Sequence, residues 1–280
     1  MLRLIITGSV FFFIFLIVLQ NSIATNTNHC PPSACGRTNI SYPFSLQTDP
    51  ISCGDDKYKL SCENNFTVLH LFNGGMYHVH AINYDDFMIQ LVDASVYRDD
   101  CSSIPSFPLT SYSFRFEDPY TLYKYKQETK NKFRWETLPA ETIGFIKCQN
   151  PVNSSVYLDT SPCINSSTNS SLSHSGMYSY AYIGEIAGND LRDGCSLEMV
   201  SLFRRLDSKN RISSFIEIHR EIAFGFELSW HNINCRNCSS HLCYLDNKDH
   251  FHCLKTGFLV RNASDSIKNH CLTDETTSVF

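Results

Sequence analysis

The chain is 280 residues long with a formal net charge of −5, and only 18% of its residues are charged. A net acidic chain is a poor candidate for contact with nucleic acid or anionic membrane surfaces. Tyrosine and phenylalanine number 14 and 20, a balance that suits β-rich modules better than charged helical bundles.

The first 24 residues read as a signal peptide. Arg3 supplies the positive charge, Val10 to Leu19 form an unbroken apolar run, and Ser22 and Ala24 place small residues before a cut at Thr25. A retained membrane anchor needs about 20 apolar residues. The stretch from Leu4 to Leu19 reaches sixteen only by including Thr7, Gly8 and Ser9. Cleavage leaves 256 of the 280 residues and, with Arg3 removed, a charge of −6, enough chain for one large domain or two small ones. The expected route is secretion, with no stable membrane insertion after cleavage. Membrane attachment is expected only in a longer isoform.

All thirteen cysteines follow the signal: Cys30, Cys35, Cys53, Cys62, Cys101, Cys148, Cys163, Cys195, Cys235, Cys238, Cys243, Cys253 and Cys271. Cysteines at this density persist as disulfides in an oxidising compartment, and spacing alone does not give their pairing. Seven sequons, at Asn39, Asn65, Asn153, Asn165, Asn169, Asn237 and Asn262, mark N-glycosylation sites of a secreted glycoprotein.

Residues 25–101 form a first cysteine-rich module of short antiparallel strands. Lys57 to Cys62 alternates in polarity, and Thr67 to Phe72 and Met76 to Tyr84 flank the hairpin signal Asn73-Gly74-Gly75. Phe87, Ile89 and Leu91 alternate after an Asp85-Asp86 turn. Residues 102–147 read as an irregular connection interrupted by Pro105, Pro108 and Pro119. Within it, Tyr123 to Trp135 mixes Lys124, Lys126, Lys130, Lys132 and Arg134 with aromatics. Residues 148–271 form a second cysteine-rich module. The Ser/Asn-rich tract Asn165 to Ser175 is its glycosylated loop. Ser179 to Ile186 and Leu197 to Phe203 are candidate strands. Ile222, Phe224, Phe226, Leu228 and Trp230 form the cleanest period-two stripe. Residues 272–280 are a polar tail. The fold class is therefore mainly β: two disulfide-rich antiparallel modules with irregular loops.

The first module carries Cys35-Gly36, Ile40-Ser41-Tyr42-Pro43-Phe44, Cys53-Gly54, Tyr58-Lys59-Leu60-Ser61-Cys62, Tyr77-His78-Val79 and Val92-Asp93 before Cys101. This pattern closely resembles the galacturonan-binding domain of plant wall-associated receptor kinases. The second half, through Gly225-Phe226-Glu227-Leu228-Ser229-Trp230 and Cys235-x-x-Cys238, resembles the C-terminal domain that accompanies it. The pair resembles the ectodomain of leaf-rust-resistance-type receptor-like kinases, without the membrane helix and kinase domain that would follow. A related architecture joins the same first module to a membrane helix and a RING domain. The family's Ser-Gly-Gly-x-Cys-Gly turn reads Ser239-Ser240-His241-Leu242-Cys243-Tyr244 here, and its Phe-x-Cys-x-Cys ending reads Phe251-His252-Cys253-Leu254-Lys255. Either Cys271 replaces the cysteine missing at 255, or one thiol is free or pairs between chains.

The resemblance implies extracellular recognition of a pectic polysaccharide or oligogalacturonide at the plant cell wall, with no cofactor. Calcium would enter only as a bridge to pectin. An array of carboxylates calls for Lys or Arg, yet residues 30–101 hold four bases and nine acids. Binding then needs a local basic groove, calcium, or a neutral or methyl-esterified ligand. The candidate ligand-binding residues are Arg37, Lys57 and Lys59, with Tyr42 or Tyr58 as sugar platforms, and Lys124, Lys126 and Trp135 in the basic-aromatic patch. Each has a plainer reading. Tyr42 and Phe44 are expected to pack in the core around the disulfides, and the basic patch is equally a solvated edge that discourages strand pairing.

Cys235-x2-Cys238-x4-Cys243 beside His231, His241, His250 and His252 invites a zinc reading, against which secretion favours disulfides. The chain has no Gly-x-Ser-x-Gly, His-Glu-x-x-His or phosphate-binding glycine loop, so it is not expected to be an enzyme. A paired-carboxylate wall hydrolase stands as the minor alternative, although Asp85-Asp86 and Asp99-Asp100 occupy turn-like positions. The principal alternative to glycan binding is a protein-interaction ectodomain, a soluble decoy or subunit of a receptor-like kinase.

Overall fold

The computed structural model describes residues 30–115, 118–129, 132–164, 177–186, 191–204, 214–238, 243–246 and 250–253. Within them the chain is mainly β, as alternation and aromatic content imply. The signal segment, Asn165, Asn169, Asn262, Cys271 and the polar tail lie outside the described residues.

The chain begins with a small hairpin, β1 (Ser33–Cys35) and β2 (Thr38–Ile40). It then builds a sheet from β3 (Ser45–Leu46), β4 (Lys59–Glu63), β5 (Phe66–Leu71), β6 (Gly75–Asn83) and β7 (Met88–Asp93). The expected hairpin is present: residues 72–74 form a tight turn between β5 and β6. The Asp85-Asp86 turn is present too, with both backbone amides donating to the Asn83 side-chain oxygen at 3.0 Å. Along β6, Tyr77 and Val79 face the core while His78 is half-buried on the other face, the alternation of a sheet with one packed side.

Two stretches depart from the sequence reading. Residues 123–147, expected within an irregular connection, instead carry β8 (Tyr123–Thr129), β9 (Lys132–Thr137) and nearly all of β10 (Ala140–Cys148). Pro105, Pro108 and Pro119 punctuate the chain upstream of these strands and Pro139 falls in the turn between β9 and β10, while β10 is buried along most of its length, so its apolar run lacks the alternation that marks a half-exposed strand. After β11 (Tyr157–Asp159), β12 (Tyr178–Ile183) and β13 (Cys195–Arg204), residues Phe215–Phe224 form helix α1. The period-two stripe therefore divides. Ile222 and Phe224 are helical, and only Phe226–Ser229 forms a strand, β14. Ser214 caps the helix by accepting the Glu217 amide at 3.3 Å. Phe215, Ile218 and Ile222 then face inward at helical spacing. Gly225, at φ +90°, ends the helix where a side chain would collide with the Leu91 carbonyl. Two elements meeting at that glycine share even-numbered apolar residues by coincidence.

Strand β14 pairs antiparallel with β7, so the sheet runs β14-β7-β6-β5-β4-β3 and draws its edge from residues 226–229. A second sheet runs β11-β12-β10-β13. A third joins β8 and β9 to the short strands β15 (Cys243–Leu245) and β16 (Phe251–Cys253). The first core gathers Phe44, Tyr58, Tyr77, Tyr120, Phe226 and Trp230. The second gathers Val92, Ile143, Phe145, Phe203, Phe215 and Ile218, which places α1 between β7 and the second sheet. Arg204 fixes the helix by bonding Glu221 at 2.9 Å and lying over the Phe224 ring at 3.8 Å.

Six disulfides pair the twelve described cysteines: Cys30–Cys53, Cys35–Cys62, Cys101–Cys163, Cys148–Cys195, Cys235–Cys243 and Cys238–Cys253. Every cysteine of the zinc-like cluster is therefore in a disulfide, and no described cysteine is left to pair with Cys271. Cys101–Cys163 closes 62 residues, a loop length for which chain entropy supplies about 4 kcal/mol.

Candidate functional site

The quoted motif residues converge where the chain enters the first sheet. Cys30–Cys53 ties the N-terminal segment to the loop before β4, and Cys35–Cys62 ties β1 to β4. Between them, the Tyr42–Pro43 bond is cis. The Phe44 amide donates to Ser41 O at 2.9 Å, and Asp55 N reaches Pro43 O at 2.9 Å. Asp49 organises the loop: its carboxylate accepts the Ser33 hydroxyl at 2.7 Å and the Leu46 amide at 2.8 Å. Gly54, at φ +69°, passes so close to Ser45 and Pro43 O that a side chain there would displace one of them.

This arrangement leaves a cleft of about 400 Å³ lined by Pro31, Pro32, Ser41, Tyr42, Asp49 and Gly54, among others. Phe44 also lines it but is 2% exposed, packed edge-on against Tyr58, Tyr84 and Trp230 at 5.7, 6.2 and 5.3 Å. Tyr42 is 68% exposed. The expectation that both rings serve the core therefore holds for Phe44 and fails for Tyr42, which is exposed at the cleft. Ser45 lines the same cleft, is 2% exposed, and its hydroxyl, sealed against Gly54, has no hydrogen-bond partner among the described residues. A buried hydroxyl without a partner costs stability.

Tyr58 is not a platform. It is 1% exposed, its hydroxyl donates to Pro119 O at 3.1 Å, and burial pushes its phenol far above the ordinary range. The three basic candidates do not meet. Arg37 occupies the turn of the β1–β2 hairpin, at the opposite end from Ser33 and Ile40, which line the cleft. Lys59 does not line the cleft, and its ammonium donates to Cys53 O at 3.2 Å. Lys57 lines a second, smaller cleft of about 170 Å³ with His70, Phe72, Asp118, Pro119 and Tyr120. Lys124, Lys126 and Trp135 are on β8 and β9, where their side chains lie outside the described residues.

The second cleft has its own electrostatics. His70 Nε2 lies 3.3 Å from Glu63 and 3.2 Å from the Ser61 hydroxyl, which itself donates to Glu63 at 2.7 Å. The Ser61 hydrogen bond, with His70 beside it, holds the Glu63 carboxyl below its ordinary range. Next to this group, Phe66 is 57% exposed and stacks on His78 at 4.8 Å. Asp55 caps the turn that carries Lys57 and pairs with Arg236.

With that geometry in view, the chain can be compared with known proteins. Residues 30–93 match the wall-associated receptor kinase galacturonan-binding family. The match covers β1 to β7 and every residue named at the first cleft; the matched family is a binding module, not a catalytic domain. No curated protein and no solved structure matches the chain. The disulfides fit an extracellular compartment, and among the described residues no helix is long and apolar enough to cross a membrane.

Sequence reasoning missed three participants. Asp49 and Ser45 carry no motif of their own and acquire meaning only when the Cys30–Cys53 loop closes. Trp230 stands in the remote half of the chain, and only β14 pairing brings it beneath Phe44. Asn39, Asn65, Asn153 and Asn237 are exposed, as glycan acceptors must be.

Proposed function

We propose that this protein is an extracellular pectin-binding ectodomain that holds galacturonan in the cleft at Tyr42. One observation carries the reading: an aromatic ring 68% exposed at the mouth of a cleft within the matched residues. An open tyrosine face offers a sugar ring a large apolar contact, with a hydroxyl for its polar edge. Ser41 and the Asp49 carboxylate supply hydrogen-bonding groups in the same walls. In this reading residues 1–24 direct secretion and the sequons are glycosylated. Residues 148–271 form the companion domain of wall-associated and leaf-rust-resistance-type receptors. Pectic polysaccharide is the partner, and no cofactor is required.

The test is titration of the secreted protein with pectic oligosaccharides, followed by Tyr42→Ala. Loss of stacking should weaken binding about tenfold, equivalent to about 1.4 kcal/mol, with an unchanged melting temperature because the ring is outside the core. Lys57→Ala, in the other cleft, should change affinity less than about twofold, as expected of an exposed cation away from the ligand. Equal affinity of Tyr42→Ala and the unaltered protein would remove this site from the reading.

A further inference from the structure

We propose that the outer face of the first sheet, at Phe66, His78, His80 and Arg98, is a second pectin contact, one that holds the polymer's free carboxylates in mildly acidic surroundings. The proposal rests on the pectin-binding reading above and adds a site on the side of the sheet opposite Tyr77 and the first core.

Strand alternation builds this face. On β6, Tyr77 and Val79 are buried, while His78 is half-buried and His80 exposed. The register against β7 shifts between Val79 and Ala81, at His80, an irregularity of the kind that re-aims a side chain. Val68 of β5 stands opposite His78. Two positions earlier on β5, Phe66 is 57% exposed and stacks on the His78 ring, with centroids 4.8 Å apart and 17° between the planes. On the other side of His78, Val92 of β7 joins the second core under α1. Among the described residues the helix therefore covers this face at β7, and Phe66 and His80 are left in solvent. Arg98, exposed in the loop after β7, is near enough to His80 to repel its charged form. An exposed ring beside two imidazoles and a guanidinium suits an acidic sugar. The ring offers an apolar contact, and the nitrogen bases meet the carboxylates.

Protonation decides when the face acts. Burial holds the His78 imidazole below its ordinary range, against the pull of Asp93 and Glu63. Burial, with repulsion from His78 and Arg98, holds His80 down as well. Near neutral pH both rings are uncharged, and Arg98 is the standing positive charge of the group. The nearby acids are already engaged. Glu63 accepts the Ser61 hydroxyl at 2.7 Å and has His70 at 3.3 Å. Asp93 accepts the Ser95 and Ser106 amides at 2.9 and 3.1 Å. Asp100 accepts the Ser102 hydroxyl at 2.6 Å, and His219 of α1 meets Ser103 O at 3.0 Å. Asp99, next to Arg98, is exposed. As the pH falls below about 6.5 the imidazoles gain charge, whereas a sugar carboxylate, like an α-carboxyl group, stays ionised down to about pH 4. A bound carboxylate favours the charged ring, so proton and ligand bind together and affinity rises as pH falls. Phe66 adds to this, because an aromatic ring attracts the cation stacked on it.

The experiment titrates the secreted protein with de-esterified oligogalacturonide from about pH 7.5 down to about pH 5, the range in which histidine changes charge. The series is repeated with the fully methyl-esterified form. The free acid should bind about tenfold tighter at the acid end, each new exposed ion pair contributing a few-fold, and added salt should shrink the gain. The esterified form should show no such gain. The gain should persist in Tyr42→Ala and disappear when His78→Gln and His80→Gln are combined. Should that double variant fail to fold, the imidazole proton signals of the unaltered protein serve instead. Saturation with the free acid should then move the titration of His78 and His80 to higher pH. A flat profile, an equal gain for both ligand forms, a gain lost in Tyr42→Ala or kept in the double variant, or an unmoved imidazole titration overturns the inference and leaves the Tyr42 cleft standing. Absence of binding at every pH overturns the pectin-binding reading itself, and the inference with it.

Discussion

The two clefts of the first sheet share a back wall and differ in nearly everything that faces solvent. Phe44 lines the first and Tyr120 the second, and Tyr58 lies between them in edge contact with both rings, at 5.7 and 5.4 Å. On the open side, the first presents Tyr42, hydroxyls and one carboxylate, while the second presents Lys57, His70 and Phe72. A search for a polyanion site by counting basic residues leads to the second. The larger cleft, built by the disulfides and the Tyr-Pro-Phe turn, is the one with no cation among its described lining residues. Charge inventory and cavity construction point to different ligands, and the construction is the more specific of the two.

Breaking the shared wall should damage both clefts. Trp230 is 3% exposed and packs on Phe44, Tyr84 and Phe87 at 5.3, 5.8 and 4.9 Å. Trp230→Ala should cost about 3–5 kcal/mol in unfolding free energy, read by denaturant titration, and should weaken pectin binding although Trp230 does not line the first cleft. An unchanged midpoint would mean that the remote half of the chain does not complete this core. The Tyr42→Ala and Lys57→Ala pair comes next in size and separates the clefts on the open side. Tyr58→Phe should have the smallest effect. Loss of its bond to Pro119 O should cost about 1 kcal/mol of stability and leave affinity unchanged, since its ring is sealed. A binding defect in Tyr58→Phe at full stability would restore it as a ligand contact.

Much of the framework was readable from residues alone. The Asn73-Gly74-Gly75 hairpin, the Asp85-Asp86 turn and the strands at 178–183 and 195–204 follow local alternation and turn chemistry, which are short-range properties. Helix α1 was obscured because Ile222 and Phe224 continue in register with the strand beyond Gly225. The correct periodicity starts at Phe215, behind its Ser214 cap. The assignments of Tyr42 and Tyr58 were harder. Tyr42 lies in an irregular turn, where neither a two-residue nor a 3.6-residue period states which way a ring points. Tyr58 sits in a short turn just before β4. Its burial comes from Tyr120, sixty-two positions later in the sequence and brought near by the fold. Disulfide connectivity is likewise a product of the fold: Cys101 finds Cys163 across 62 residues.

In the proposed function the ligand lies against Tyr42 and not beside Lys57. The most direct measurement is an amide chemical-shift map of the isotopically labelled protein titrated with pectic oligosaccharides. Shifts are expected at Ser33, Ser41, Tyr42, Ser45 and Gly54, with residues His70 to Phe72 undisturbed. Shifts centred on Lys57, His70 and Phe72, with Tyr42 silent, would contradict it.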